Sequence, residues 1–306
     1  MALNESTVNL LGVLAEAEVK PFHEGTPEEA RIAIDMLMSN NPSGPQDVSV
    51  KDHVMPESVV TLRVITPPVD AKSIIIYYHG GGWVCGSINA YESLGRALAK
   101  QASAVVVLVD YRMAPEHPFP APVNDCWDAL LWVDANRSVF NGNDLPIVVS
   151  GDSAGGNLAA VVAQRSIEKK STPNVAMQAL IYPATDTDLD TPSSLSEENQ
   201  LLLCRDDMVW FWNQYVGSSA ARNNPDMAPA SSNSLAKLPP TLVITAQHDV
   251  LHDDGQRYAE KLKAAGVDIQ HLDAEGETHG FMCLYGIMPS CQWAIDSIIT
   301  FINARI

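Results

Sequence analysis

Short, mostly apolar runs alternate along this chain with stretches in which apolar residues recur every three to four positions. The runs lie at residues 73–78, 104–109, 147–150, 177–182, 241–245 and 268–273. Runs of this length are typical of strands buried on both faces of a parallel sheet. Because stretches of helical spacing separate them, the pattern predicts repeated strand–helix–strand units and an α/β fold.

Two further strands are expected before this series. Residues 48–55 and 59–66 are rich in β-branched side chains and flank a Pro-Glu-Ser turn. Strand-like runs separated by such a short turn favour antiparallel pairing. Together with the later runs, they predict a mostly parallel, eight-stranded sheet flanked by helices.

The first 45 residues are predicted to be helical. "LLGVLAEAEV" at 10–19 has helical spacing, and "TPEEARIAIDMLM" at 26–38 opens with Thr26, Pro27 and Glu29. This order matches a capping box with proline at the first helical position. We therefore expect residues 1–45 to form an N-terminal helical cap segment, and residues 46–306 to form the main domain.

A long interval separates the runs at 177–182 and 241–245. Residues 185–200 are polar and predict a loop, and residues 201–216, "LLLCRDDMVWFWNQYV", predict an amphipathic helix with an aromatic face. We interpret residues from about 184 to 235 as an insertion above the sheet that completes the cap, rather than as a second domain.

The charge balance narrows the choice of partners. The 306 residues include 37 acidic and 19 basic side chains, for a formal net charge of -18. Nucleic acids and anionic membranes both attract clusters of Lys and Arg, so neither is an expected partner. The N-terminus lacks the basic start of a signal peptide, and no apolar run reaches transmembrane length. These features predict a cytoplasmic protein.

Cysteine usage gives no sign of cross-linking or of a structural metal. The five cysteines are odd in number, and no pair has C-x-x-C spacing, so neither a disulfide framework nor a structural zinc site is expected. Buried free thiols are the default interpretation. The residues are Cys85, Cys126, Cys204, Cys283 and Cys291.

A candidate nucleophile follows the run at 147–150. Gly151-Asp152-Ser153-Ala154-Gly155 matches G-x-S-x-G, with a predicted strand before it and a helix after it. In that context the serine lies on a sharp strand-to-helix turn, with its hydroxyl exposed above the sheet. The alternative is a glycine-rich turn in which Ser153 only caps the following helix.

A serine hydroxyl needs a base, and in this chain order the base comes last. His271 lies within a predicted strand, whereas His279 follows the last strand, on the edge of the sheet where active sites form. We therefore predict that His279 is the base. The histidines compared are His248, His252, His271 and His279.

The orienting acid is expected after the preceding strand. Asp249 is nearest to the end of the run at 241–245, whereas Asp253 and Asp254 are better placed to begin the next helix. Asp249 is therefore the predicted acid. The mixture of His and Asp could suggest a metal site, but no further ligand cluster supports it, so no metal is expected.

The glycines of "HGGGW" offer backbone amides to a substrate. Ester or amide cleavage places negative charge on the carbonyl oxygen, and backbone N–H groups stabilise that charge. Gly81 and Gly82, with Ala154 after the nucleophile, are the predicted donors; Gly80 is less suited, and His79 is expected to brace the loop. A phosphate-binding loop is the weaker alternative, because the chain lacks its spacing here.

Six segments together resemble the bacterial hormone-sensitive lipase family of esterases, in its GDSAG branch. They are "HGGGWVCGS", "VDYRMAPEHPFPAPVNDCWDALLWV", "GDSAGGNLAA", "IYPATD", "HDVLHDDG" and "ETHGF", within residues 73–300. The resemblance implies an α/β-hydrolase fold with a helical cap, a Ser153–Asp249–His279 triad and no cofactor. Val250 departs from the family's usual proline after the acid. Within "DYRMAPEHPFPA", Asp110 and Arg112 are expected to pair.

The predicted function is carboxylic ester hydrolysis through an acyl-enzyme, with a small-molecule ester as partner. The resemblance implies short- to medium-chain acyl groups. An amidase or deacetylase on the same triad remains open, because the same chemistry serves amides. A non-catalytic receptor is the other alternative; plant gibberellin receptors resemble this family but lack the triad histidine, which is present here as His279. The sequence leaves open whether the chain forms a homo-oligomer.

Overall fold

A computed structural model of the chain describes residues 2–140, 144–168, 173–216 and 224–306. The strands are β1 (Ser49–Val54), β2 (Thr61–Thr66), β3 (Ser73–Tyr78), β4 (Ala104–Asp110), β5 (Ile147–Asp152), β6 (Val175–Ile181), β7 (Thr241–His248) and β8 (Ile269–Thr278). The α-helices are α1 (Glu5–Glu16), α2 (Pro27–Met38), α3 (Glu92–Ala102), α4 (Ala121–Ala135), α5 (Ala154–Glu168), α6 (Pro192–Leu195), α7 (Arg205–Val216), α8 (His252–Ala264) and α9 (Pro289–Asn303). Short 3₁₀ helices lie at Phe22–Glu24, Arg137–Phe140, Glu197–Asn199, Pro229–Ser231, Leu235–Lys237 and Phe281–Cys283.

These strands form one sheet in the order β1-β2-β4-β3-β5-β6-β7-β8. The β1–β2 and β2–β4 pairs are antiparallel, and the pairs from β4 to β8 are parallel. The predicted eight-stranded, mostly parallel sheet is therefore confirmed. Because β3 to β8 are parallel, their carboxyl ends meet at one edge, and the loops that carry the candidate residues follow those ends.

Alternation along the central strands gives the sheet two apolar faces. All six residues of β3 are buried; Ile74 and Ile76 contribute to one core, and Ile75 and Tyr77 to the other. Helices α4, α5 and α8 cover the first face, and α3 and α9 cover the second. A continuous apolar run is needed because side chains on both faces leave water.

The N-terminal segment contains a capped second helix and is anchored to the sheet at its start. The predicted capping box is present at the start of α2, where Thr26 accepts from the Glu29 amide and the Glu29 carboxylate accepts from the Thr26 amide. Helix α1 begins at Glu5, earlier than the spacing predicted. Thr7 and Asn4 donate at 2.7 Å and 2.9 Å to the carboxylate of Glu277, a buried residue of β8.

The insertion is more ordered than its polar sequence indicated. Within the stretch predicted as loop, α6 begins at Pro192 behind the Thr191 cap, and a 3₁₀ turn follows it. Ser193 bonds to the helix after β7: its amide donates to the Asp253 carboxylate at 2.9 Å, and its hydroxyl accepts from the Asp253 amide at 3.1 Å. The predicted helix at 201–216 is observed from Arg205; residues 217–223 of the insertion lie outside the described residues.

Two expectations about individual side chains need correction. Arg112 does not pair with Asp110; it forms a bidentate bond with Asp125 of α4 at 2.7 Å and 2.9 Å. The reason is that Asp125 is presented by the helix that follows the same loop, and it also accepts from the Arg112 amide. All five cysteines are free, but Cys204 is only half-buried whereas the others are buried.

Each helix in the described ranges is too short or too polar to cross a lipid bilayer.

Candidate active site

The residues 151–155, here called the serine turn, join β5 to α5. Ser153 has a φ of +55°, a left-handed conformation that side-chain-bearing residues rarely adopt. A Cβ on Gly155 would collide with the Tyr78 carbonyl of β3, and a Cβ on Gly151 would collide with the Gly155 carbonyl. Both glycines are therefore required by backbone packing, and the strained turn between them projects Ser153 beyond the sheet edge.

Three predicted side chains meet beyond the ends of β5, β7 and β8. The Ser153 Oγ lies 2.9 Å from His279 Nε2, and His279 Nδ1 lies 2.7 Å from Asp249 Oδ2. Since the carboxylate can only accept, Nδ1 carries the proton and Nε2 is free to accept from the serine hydroxyl. All three residues are buried, with 8%, 9% and 1% of their surfaces exposed.

Neighbouring groups fix both the acid and the imidazole. The Leu251 amide donates to Asp249 Oδ1 at 2.9 Å, so each carboxylate oxygen has its own partner. The Tyr182 ring lies 4.5 Å from the His279 ring, and the Tyr182 hydroxyl accepts from the Met282 amide at 3.0 Å. The imidazole is therefore held from the aspartate side and from one ring face.

The competing residues lie elsewhere. His252 Nε2 is 3.4 Å from Asp273, and that carboxylate raises the pKa of His252. His271 contacts the Thr245 hydroxyl at 3.0 Å. Asp253 and Asp254 lie in the first turn of α8, as their position in the sequence predicted.

Asp254 has a structural role that the sequence did not reveal. Its buried carboxylate accepts from the amides of Thr185 and Asp186 at 3.1 Å and 3.2 Å. Burial raises the pKa of Asp254 well above its ordinary value. The bonds tie the start of the insertion to α8.

The residues 79–86, here called the glycine loop, follow β3. Gly81 and Gly82 have φ values of +110° and +60°, so both favour glycine. A Cβ on Gly81 would collide with the Cys85 carbonyl, and one on Gly82 would collide with the Phe211 ring of α7. Among the described residues, the amides of Gly81, Gly82 and Ala154 have no acceptor, so these N–H groups remain available to a ligand.

His79 lies under this loop. Its Nδ1 is 2.8 Å from the Gly80 carbonyl, and its ring stacks on Tyr111 with centroids 4.3 Å apart. The Tyr111 hydroxyl also donates to the His79 carbonyl at 2.8 Å. Burial lowers the pKa of His79 to about 4, so the imidazole is neutral at pH 7 and contributes contacts rather than charge.

Asp152 is a member of the site that sequence reasoning missed. Its side chain is buried beside Ser153 and accepts from the Tyr77 and Tyr91 hydroxyls, each at 2.9 Å, and from the Gly80 amide at 3.1 Å. A carboxylate one position before the candidate nucleophile was a usable signal. Its partners were not, because they belong to β3, the glycine loop and the residue before α3.

The insertion and the N-terminal segment meet above the two turns. Phe211 of α7 packs on Gly82, and the Phe22 ring lies 5.3 Å from the Phe211 ring. On the other side, Leu202 lies against Gly280, next to the imidazole. The sequence predicted an aromatic face on this helix, but not which of its rings contacts the glycine loop.

A polar cluster joins the same two segments farther out. His23 Nδ1 lies 2.8 Å from the Asp207 carboxylate and 3.7 Å from the Cys204 Sγ. These donor types can bind divalent metals such as zinc. The Asp207 carboxylate also accepts from the backbone amides of His23 and Cys204, which accounts for its burial without an ion.

Comparison with known proteins places this geometry in a family. A family model described as alpha/beta hydrolase fold matches residues 75–283, more than half of the chain. The carboxylesterase NlhH of Mycobacterium tuberculosis is 40% identical over 241 residues, covering 77% of this chain and 75% of that protein. The ethyl acetate hydrolase of Pseudomonas putida is 31% identical over 295 residues, covering 92% of this chain and 91% of that protein.

Solved structures agree with the sequence relatives. The hyperthermophilic esterase from the archaeon Pyrobaculum calidifontis superposes with a TM-score of 0.89 at 35% identity, covering 99% of each chain. The sheet order and the serine turn agree with the family that these relatives indicate. The chain therefore belongs to the α/β-hydrolase family of enzymes.

Proposed function

We propose that this protein is a carboxylic ester hydrolase of the bacterial hormone-sensitive lipase family, in its GDSAG branch. Ser153 is the nucleophile, His279 the base and Asp249 the orienting acid. The observation that supports this most directly is the hydrogen-bonded line from Asp249 through His279 to Ser153, with separations of 2.7 Å and 2.9 Å. Named carboxylesterases among the relatives support the same reaction.

The first half of the reaction forms an acyl-enzyme. Ser153 Oγ attacks the ester carbonyl carbon while its proton passes to His279 Nε2, and Asp249 stabilises the imidazolium. The carbonyl oxygen becomes negative and accepts hydrogen bonds from the Gly81, Gly82 and Ala154 amides. The tetrahedral intermediate then collapses, and His279 gives its proton to the departing alcohol.

The second half releases the acid. Water donates a proton to His279 and attacks the acyl carbon, and the same amides receive the second oxyanion. Ser153 leaves with the proton from His279, so the enzyme returns to its starting state. These residues supply nucleophile, base, acid and oxyanion donors, and the proposed reaction therefore requires no cofactor or metal.

The proposed substrates are small esters with short to medium acyl chains. Residues 1–45 and the insertion from about 184 to 235 form the cap in this proposal, with residues 46–306 as the catalytic domain. Phe211 and Phe22 then wall the space above the glycine loop, and Leu202 closes the histidine side. Bulky apolar walls near the reacting carbon favour short acyl groups.

Replacing Ser153 tests the assignment. Ser153→Ala should reduce turnover of p-nitrophenyl acetate by about 10⁶-fold, because members of a triad act as a unit. A fluorophosphonate probe should label the wild-type protein at Ser153 and leave the variant unlabelled. Ester turnover by Ser153→Ala at the wild-type rate would contradict the proposal.

Substrate series define the bond and the chain length. A set of p-nitrophenyl esters from acetate to palmitate should show the highest kcat/KM at short or medium chains. Matched ester and anilide substrates decide between an esterase and an amidase or deacetylase. Faster cleavage of the anilide would replace the proposed ester specificity while keeping the same triad.

A further inference from the structure

Asp152 stands out because it is a nearly inaccessible carboxylate, 2% exposed, that the proposed reaction does not use. Its Oδ1 accepts from Tyr77 and from the Gly80 amide, and its Oδ2 accepts from Tyr91. Burying an anion is costly unless several donors compensate it. A buried carboxylate next to the nucleophile therefore suggests a role for Asp152 other than packing.

We propose that Asp152 is a positioning residue that holds the glycine loop in its reactive conformation by binding the Gly80 amide. This inference rests on the proposed ester hydrolysis. Asp152 precedes Ser153 directly in the chain, so the residue that holds the loop is bonded covalently to the nucleophile. The distance between Ser153 Oγ and the amides of Gly81 and Gly82 is thereby set by the peptide bond from Asp152 to Ser153 and by the hydrogen bond from the Gly80 amide to Asp152.

The amide bonds around Gly80 separate its role from that of the next two glycines. The Gly80 N–H lies 3.1 Å from Asp152 Oδ1 and 3.1 Å from the Tyr91 hydroxyl, so it is already engaged. A Cβ at Gly80 would collide with Asp152 Oδ2. Gly80 is therefore required by the carboxylate rather than by a substrate, and the following amides are left free.

The charge state of Asp152 affects the strength of this contact. Burial raises the pKa of Asp152 above its ordinary value, and the hydrogen bonds from Tyr91 and Tyr77 oppose this rise only in part. Bonds to an ionised acceptor are roughly twice as strong as bonds between neutral groups. Two tyrosines that donate to one carboxylate also fix its orientation, and they come from β3 and from the residue before α3.

Tyr91 links the carboxylate to the base of the loop. Its ring lies 5.6 Å from the His79 ring and 6.1 Å from the Tyr77 ring. His79 in turn contacts the Gly80 carbonyl. The amide and the carbonyl of Gly80 are therefore both held, one by Asp152 and one by His79.

The experiment compares Asp152→Asn, Asp152→Ala and Tyr91→Phe with the wild-type enzyme. Asp152→Asn keeps an acceptor but loses the charge, and Asp152→Ala loses both. We expect kcat on p-nitrophenyl acetate to fall about 10-fold for Asp152→Asn and about 10² to 10³-fold for Asp152→Ala, with KM nearly unchanged, since misplaced oxyanion donors affect the transition state. Tyr91→Phe should lower kcat about 5-fold, because it weakens the hold of Asp152 on the Gly80 amide.

Tyr78→Phe is the matched control. The Tyr78 hydroxyl donates to the Cys126 carbonyl at 3.1 Å, so this change removes a buried bond from the same strand without affecting Asp152. It should lower the melting temperature and leave kcat within about twofold. An alkyl trifluoromethyl ketone adds a readout specific to the oxyanion. Ser153 adds to its carbonyl carbon as the serine proton passes to His279.

Inhibition by that ketone should weaken in Asp152→Ala by the same factor as kcat/KM falls. The proposed positioning role of Asp152 is contradicted if folded Asp152→Asn, Asp152→Ala and Tyr91→Phe keep wild-type kcat. It is also contradicted if ketone affinity is unchanged in variants with reduced kcat. If Asp152→Ala does not fold, the other two variants and the ketone decide. A wild-type protein that neither cleaves esters nor reacts with a fluorophosphonate would contradict the proposed function itself, and with it the positioning role of Asp152.

Discussion

The serine turn and the glycine loop are both rich in glycine, but different contacts hold them. In the serine turn, the space beside Gly151 and Gly155 is filled by backbone carbonyls of the turn and of β3. In the glycine loop, Gly80 and Gly82 face the side chains of Asp152 and Phe211, whereas Gly81 faces the Cys85 carbonyl of the loop itself. The serine turn is therefore shaped by backbone atoms, and the glycine loop is shaped partly by side chains that come from other segments of the chain.

The two kinds of contact predict different effects of substitution in the two turns. Backbone carbonyls of a central strand cannot move without unpairing the sheet, so the serine turn has one conformation wherever the sheet is intact. Side chains can rotate or be replaced, so the conformation of the glycine loop depends on individual distant residues. We therefore expect substitutions of the two glycines in the serine turn to affect folding, and substitutions around the glycine loop to affect turnover.

The largest effect is expected at Gly155. Gly155→Ala places a methyl group against the Tyr78 carbonyl, and neither backbone can give way. We expect an insoluble protein, or one destabilised by more than about 4 kcal/mol, measured by soluble yield and urea unfolding. Gly12→Ala is the control: its Cβ would meet nothing within 4 Å on α1, and alanine favours the helix. A soluble, active Gly155→Ala protein would remove the contrast.

Gly80→Ala should separate folding from turnover. The added methyl group collides mainly with the carboxylate of Asp152 and only touches the Asp152 carbonyl, so the protein should fold with a modest loss of stability while kcat falls about 10²-fold. Combining it with Asp152→Ala should recover part of the melting temperature but not kcat. Wild-type kcat in folded Gly80→Ala would show that the loop tolerates a displaced Gly80.

Phe211 tests the support that the glycine loop receives from α7. Phe211→Leu shortens the group that packs on Gly82 and enlarges the space above the loop. We expect the kcat/KM ratio of octanoate to acetate esters to rise about tenfold, the range of one or two methylenes in an apolar pocket. Phe140→Leu, at a buried ring in the turn after α4, is the control and should leave the ratio unchanged. An unchanged ratio in Phe211→Leu would place the acyl chain elsewhere.

The smallest effect is expected at Glu116. Arg31 of α2 donates to the Val84 carbonyl of the glycine loop at 2.8 Å and pairs with Glu116, which is more than half exposed. The Arg31 guanidinium lowers the pKa of Glu116 from 4.5 to about 2. A depressed carboxyl pKa adds stability above pH 4.5 that is lost as the pH falls towards 2.

Glu116→Gln should therefore cost at most about 1 kcal/mol at pH 7, because exposed ion pairs are strongly screened. The melting temperatures of both proteins, measured from pH 7 downwards, should converge as the pH falls from 4.5 towards 2. A difference that stays constant with pH would show that the pair contributes by packing rather than by charge.

The sequence predicted the elements whose signals are local. Apolar run length identified β3 to β8, and the capping box at Thr26 and Glu29 located the start of α2. It also proposed Ser153, Asp249 and His279 from the order of strand ends, and the structure places these side chains within hydrogen-bonding distance. Each of these depends on a few neighbouring residues and on the rule that parallel strands end at one edge.

Signals that depend on long-range contacts were missed or misassigned. Arg112 was expected to bind Asp110, its close neighbour, but helix α4 presents Asp125 instead. The polar stretch at 185–200 gave no helical pattern, yet bonds to Asp253 and Asp254 order it. Polar residues have many potential partners, and spacing along the chain does not reveal which one the fold supplies.

By itself, the sequence determined the sheet, the positions of the glycines and the chemical types at the edge where the strands end. These follow from local backbone sterics and from the periodic burial of apolar residues. Only the tertiary structure decided what holds the glycines: backbone around Gly155, and the side chain of Asp152 at Gly80. The physical reason is that the sequence shows only where a glycine lacks a side chain. The atoms that would collide with a side chain there come from distant parts of the chain.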